Sequence, residues 1–208
     1  MIKLQIKGCT IQLSFPLVCA LSIVFLLDTT STASLSIISA ICHEMGHIIA
    51  MRILHTKTDN IKMTLFDINI VDKDKNNRKL SSELFVIMAG IFVNLLLCLI
   101  SYVVYKHTGI KELLIFSTAN AVLAIFNMLP IDSLDGGNAI FVILIRFINN
   151  ITAQKVLEII SFVILLPMAV VGFDILLKSK FNFTLLFTSC YLISIILLKK
   201  SKLLWRKQ

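Results

Sequence analysis

Charge is scarce in this chain. Asp, Glu, Lys and Arg make up 15% of its 208 residues, against about a quarter in ordinary soluble domains. No polar stretch is long enough to build a second core, which excludes a soluble domain tethered to something else. No internal repeat and no low-complexity run appears, which excludes solenoid and linker architectures. Cysteine pairing is missing too. Cys9, Cys19, Cys42, Cys98 and Cys190 form no CxxC pair, so they read as small buried hydrophobes, not as a disulfide framework.

Apolar residues fill the gap, at 57% of the chain and a mean hydropathy of +0.90. They come in blocks: Ile11 to Leu27, Ala33 to Leu54, Leu84 to Tyr105, Leu113 to Leu129, Val156 to Leu177 and Phe181 to Leu198. A hydrocarbon core of about 30 Å takes about 20 such residues as helix. The blocks predict an all-α polytopic membrane protein with about six transmembrane helices in one membrane-embedded domain, residues 1–208. The first block, behind Lys3 and Lys7 and ahead of the small residues Thr30 to Ser34, also has the layout of a signal peptide. Phe141 to Ile148, too short to span, predicts a buried or interfacial helix.

The net charge of +8 does not imply nucleic acid as partner. The basic residues lie between and after the apolar blocks, where cytoplasmic loops collect them and where they meet anionic lipid. Arg52 to Lys79 carries seven Lys or Arg, the tail from Lys199 five, and Asp28 to Ser34 none. Both termini then face the cytoplasm. Between Asn60 and Asp72, Ile61, Met63 and Leu65 alternate with Lys62 and Thr64, and Ile68 and Ile70 flank Asn69. Period two predicts strands, read as a short β-hairpin at the cytoplasmic membrane face.

The chemistry sits in His43-Glu44-Met45-Gly46-His47. Residues four apart share a helix face, so both imidazoles can reach one zinc. Glu44 beside them is placed to serve as general base. Gly46 removes a side chain and lets another backbone come close. Ionisable groups inside an apolar block are costly and tend to be functional. A catalytic zinc needs a third protein ligand and an open position. His55 and His107 are poorly placed for it. The run Asn127-Met128-Leu129-Pro130-Ile131-Asp132-Ser133-Leu134-Asp135-Gly136-Gly137 ends the fourth block on the same side as the HExxH motif. It offers Asp132 and Asp135, between which spacing does not choose.

HExxH in an early apolar block, with Asn-x-x-Pro-x-x-x-Leu-Asp-Gly ending a later one, resembles the site-2 protease family of intramembrane zinc metalloproteases. The resemblance covers residues 33–138, the expected catalytic core. It implies zinc held by His43, His47 and Asp135, with Glu44 as the base and Asn127 holding substrate. Ala89-Gly90-Ile91-Phe92-Val93-Asn94 is similar to the family's Gly-Pro-x-x-Asn element, with Ile91 in place of Pro, and implies a substrate-binding role for Asn94. Without that family, Gly90 reads as small-residue helix packing. The chain resembles most the compact group that includes the stage IV sporulation protein FB protease, and would lack the carboxy-terminal regulatory domain of some members. Implied with it are a membrane-anchored protein substrate, the lipid bilayer, regulatory membrane proteins as possible partners, and regulated proteolysis, as in sporulation, in the cell membrane with the active site toward the cytoplasm. The alternative is a metal-binding membrane scaffold or transporter using the same ligands.

Overall fold

The computed structural model describes residues 2–6, 9–13, 28–54, 58–63, 68–72, 79–179 and 184–205, with side chains over 28–54, 79–178 and 186–196. Among the described residues there are six helices: α1 (Thr32–Ile53), α2 (Leu80–Thr108), α3 (Lys111–Asn127), α4 (Asp135–Leu144), α5 (Asn150–Ser179) and α6 (Thr184–Trp205). They fall into two compact units, Met1–Ile125 and Phe126–Gln208.

In the first unit α1 packs against α2. Ile48, Ala50, Met51 and Val86 form the buried cluster between them, with Leu54 and Ala89 at its edge. Gly46 makes the approach possible. A Cβ there would stand 2.9 Å from the Ala89 carbonyl oxygen and 3.0 Å from the Gly90 Cα. Gly109 closes α2 in the left-handed region, φ 70°, its N–H donating to the Tyr105 carbonyl at 2.8 Å, the common glycine stop of a helix. α3 begins two residues later and returns along α2, with the Ser117 hydroxyl donating to the Cys98 carbonyl at 2.9 Å.

The start of α1 is tied down from outside the helix. Ser31 precedes it at φ 58° and makes no side-chain cap. Asp28 takes that role, accepting from the Ser34 N–H at 2.7 Å and the Ser34 hydroxyl at 2.6 Å. The hydroxyl first, then the N–H, hold its carboxyl below the ordinary 3.8. A carboxylate with a depressed folded-state pKa adds stability above the unfolded value and loses it as pH falls through the folded one. Asp28→Ala is therefore expected to lower the unfolding temperature at neutral pH, and the gap to wild type to narrow below pH 3.8. A pH series of thermal melts checks this; a gap unchanged through the acid range refutes it.

In the second unit, Ile131, Leu134, Leu165, Leu192 and Ile196 form the apolar core among the α3–α4 connection, α5 and α6. Asn149 caps α5, its Oδ1 accepting from the Thr152 N–H at 2.8 Å. Pro167 lies inside α5, a placement that helices in lipid tolerate.

Among the described residues, α1, α2 and α5 are long and apolar enough to cross a membrane. Their outward faces carry large exposed apolar side chains, among them Phe92, Leu96 and Leu99 on α2 and Ile159, Val163 and Val170 on α5. Exposed apolar surface on that scale marks a membrane protein. α3 has 17 residues, and the described apolar run of α6, Leu186–Ile196, is shorter still. As backbone, α6 has 22 residues, and α3 is at the short end of the range for a span.

Two expectations need correction. Ile11 to Leu13 do not begin a spanning helix. They belong to strand β2 (Cys9–Leu13), because Thr10-Ile11-Gln12-Leu13 alternates with period two before the apolar run begins. The rest of that predicted span, 14–27, lies outside the described residues, as does His55. The helix expected over Phe141 to Ile148 starts earlier, at Asp135, and ends at Leu144; Arg146 to Ile148 form turns, with Phe147 exposed.

The backbone also runs as strands β1 (Ile2–Ile6), β3 (Thr58–Met63) and β4 (Ile68–Asp72). The order is β1-β2-β3-β4. β2 pairs parallel with β3, Ile11 opposite Ile61, and β3 antiparallel with β4, Ile61 opposite Ile70.

Candidate metal centre

α1 presents His43 and His47 on its buried face, one turn apart, with Glu44 half-buried beside them. The two Nε2 atoms are 3.2 Å apart, and the rings meet edge to face at 4.9 Å between centroids. His47 Nδ1 lies 2.8 Å from the Val86 carbonyl oxygen. A carbonyl only accepts, so the proton of His47 is on Nδ1 and its Nε2 keeps a lone pair. Outer hydrogen bonds of this kind orient metal-ligating histidines. Two nitrogens at about 2.0–2.1 Å from a tetrahedral zinc lie roughly 3.3 Å from each other. The observed separation and the His47 tautomer both fit that ion.

α2 supplies the floor. A Cβ on Gly90 would stand 2.6 Å from His47 Nε2 and 2.8 Å from His43 Cε1 and Nε2. Gly90 is thus more than packing: the imidazoles occupy the room its missing side chain leaves. One turn on, Asn94 is fully buried on the same helix. His107, at the far end of α2, is exposed.

The second unit holds the acidic run. α3 ends at Asn127, which is half-buried, and the chain turns through Pro130 before α4 begins at Asp135. Asp132 is buried. Its Oδ1 accepts from Gln154 Nε2 at 3.1 Å, and its backbone N–H donates to the Ser161 hydroxyl at 2.9 Å. The connection is therefore clamped to α5 at Asp132, and Asp135, half-buried, opens α4 three residues later. Gly136 and Gly137 serve close packing, not a tight turn. Neither has a positive φ. A Cβ on Gly136 would collide with the Met128 and Leu129 carbonyls, and one on Gly137 with that of Ile131. They let the start of α4 lie against the preceding connection. Gln154, Ser161 and Val86 carry no motif signal, and sequence reading passes over them.

The chain is similar to a solved structure, the site-2 protease from Methanocaldococcus jannaschii. The two share 22% sequence identity and a TM-score of 0.67, over 92% of this chain and 91% of that one. The fold is that of a site-2 protease. The likeness carries nothing about sporulation. No protein-family profile and no curated protein matches the sequence.

Proposed function

We propose that this chain is an intramembrane zinc metalloprotease of the site-2 family, with His43, His47 and Asp135 as the metal ligands and Glu44 as the general base. The observation that carries the reading is the pair of Nε2 atoms 3.2 Å apart on a membrane-compatible helix, with a carboxylate next to them in sequence. A bound zinc would acidify a water molecule and polarise the scissile carbonyl.

Glu44 takes the proton from the attacking water and returns it to the leaving amine. Val86 holds His47 in the ligating tautomer. Asp132 fixes the connection that presents Asp135. Asn127, at the end of α3, holds the substrate. A peptide in a transmembrane helix hides its carbonyls in its own hydrogen bonds, so it unwinds before it is cut. The short β-hairpin read over Asn60 to Asp72, at the cytoplasmic membrane face, receives the unwound stretch as an added strand. The substrate is a membrane-anchored protein, cut in regulated proteolysis. The protease sits in the cell membrane as a multi-pass protein of about six spans, its catalytic core within residues 33–138, its active site toward the cytoplasm and regulatory membrane proteins as its partners.

Metal content and the two aspartates test this. Purified protein is expected to hold about one zinc per chain. Asp135→Asn should lower zinc content and abolish cleavage of a co-expressed single-span protein. Asp132→Asn should keep most of its zinc and lose activity only in part, because it loosens the clamp and leaves the ligand. The reverse ranking would assign the third ligand to Asp132. Zinc-free wild type, purified without chelator, would remove the proposal.

A further inference from the structure

Three polar side chains of the first unit are enclosed as completely as any apolar residue. Ser39 on α1, Asn94 on α2 and Asn120 on α3 are each 0% exposed. Asn120 Nδ2 donates to the Phe116 carbonyl at 2.8 Å, within its own helix. The Ser39 hydroxyl oxygen, both amide atoms of Asn94 and Asn120 Oδ1 have no hydrogen-bond partner among the described residues. Folded proteins pair the large majority of such buried side-chain groups, with protein or with ordered water.

Helix register brings the three to one level. On the antiparallel pair α1 and α2, His47 meets Val86 and His43 meets Gly90. One turn further along the same faces, Ser39 comes opposite Asn94. On α2 and α3, Cys98 meets Ser117. One turn back from Cys98 is Asn94, and one turn on from Ser117 is Asn120. The layer beside the His43–Gly90 contact is therefore polar on three helices at once.

We propose that Ser39, Asn94 and Asn120 enclose a buried water site, one turn or about 5.4 Å along the helices from the histidines. The donor set selects the ligand. Asn94 offers N–H donors and an acceptor oxygen, Ser39 either role, and Asn120 an acceptor. No charged group is among them, so nothing there would balance an ion. A small neutral molecule that both donates and accepts, with two to four partners, is water. Lipid surrounds these helices, and hydrolysis consumes water, so a molecule kept in this layer is a reserve for the reaction. That use rests on the protease reading. The water site rests only on burial and register.

X-ray radiolytic hydroxyl labelling reads bound water directly, because radicals formed from a trapped water oxidise the side chains beside it. Ile91 is 1% exposed and lies one turn from Asn94, while Ile131, 0% exposed, lies in the apolar core of the second unit. In the intact zinc-loaded protein, Ile91 is expected to label several-fold faster than Ile131. Asn94→Leu combined with Asn120→Leu should bring Ile91 down to the Ile131 rate. Equal labelling of the two isoleucines in wild type overturns the water site, whether or not the double variant folds. The same difference is expected in Glu44→Gln protein, so it survives failure of the protease reading. If the folded double variant keeps its zinc and cleaves at the wild-type rate, the reserve role is overturned while the site stands.

Discussion

Glu44→Gln protein will keep its zinc and leave its substrate uncut. Gln has nearly the size of Glu and keeps a hydrogen-bonding side chain, so the packing around α1 is undisturbed. The proposed metal set is His43, His47 and Asp135, and none of these changes. What disappears is a group able to take a proton. Losing a general base typically costs about 10²–10⁴ in rate. Co-expression with a single-span substrate, followed by metal analysis of the purified variant, checks both halves of the expectation. A scaffold or transporter built on the same ligands would behave as wild type after the change. Normal cleavage by zinc-loaded Glu44→Gln protein would therefore remove the mechanism, and loss of zinc together with activity would make Glu44 a ligand.

Gly90→Ala is expected to disarm the metal centre without unfolding the chain. Alanine is the better helix former by about 1 kcal/mol, so α2 should be at least as helical as before. The added methyl, however, would stand 2.6 Å from His47 Nε2 and 2.8 Å from His43 Nε2, closer than carbon and nitrogen approach. The imidazoles must swing aside, and His47 loses its alignment with the Val86 carbonyl. Disturbing the groups that orient a metal ligand typically lowers affinity about 10–100-fold, and a loss of at least that size is expected in a zinc titration. Circular dichroism should show helix content unchanged. Wild-type zinc affinity in Gly90→Ala protein would mean that the rings do not lie against α2. Gly46→Ala makes a useful contrast. Its methyl would press on the Ala89 carbonyl, not on the rings, so its expected effect is on stability first.

Much of this was legible in the sequence because the constraint was local. The apolar blocks from Ala33 onward became helices, since lipid demands length and apolarity, which composition displays. HExxH placed two rings on one face because helical periodicity alone does so. The purpose of Gly46 was readable for the same reason. Gly90 was only half legible. A glycine inside a helix announces a close approach, but not that the approaching group is an imidazole from α1. Gln154 and Ser161 were not legible, since a clamp made by one amide and one hydroxyl leaves no pattern. Ile11 to Leu13 misled because an alternating strand runs straight into an apolar block, and summed hydrophobicity hides the change of period. Gly136 and Gly137 lie at the start of a helix, and only coordinates distinguish freedom of φ from lack of bulk.

The hydrogen bond from His47 to Val86 has a consequence for how the ion comes and goes. It is made between two helices and involves no metal, so it would hold the ring, with its proton on the far nitrogen, with or without zinc. Uptake is then expected to need no reordering of α1. Stripping the ion with a chelator should leave a folded protein that recovers full occupancy on adding zinc back, unlike a zinc finger, in which the ion and the fold are lost together.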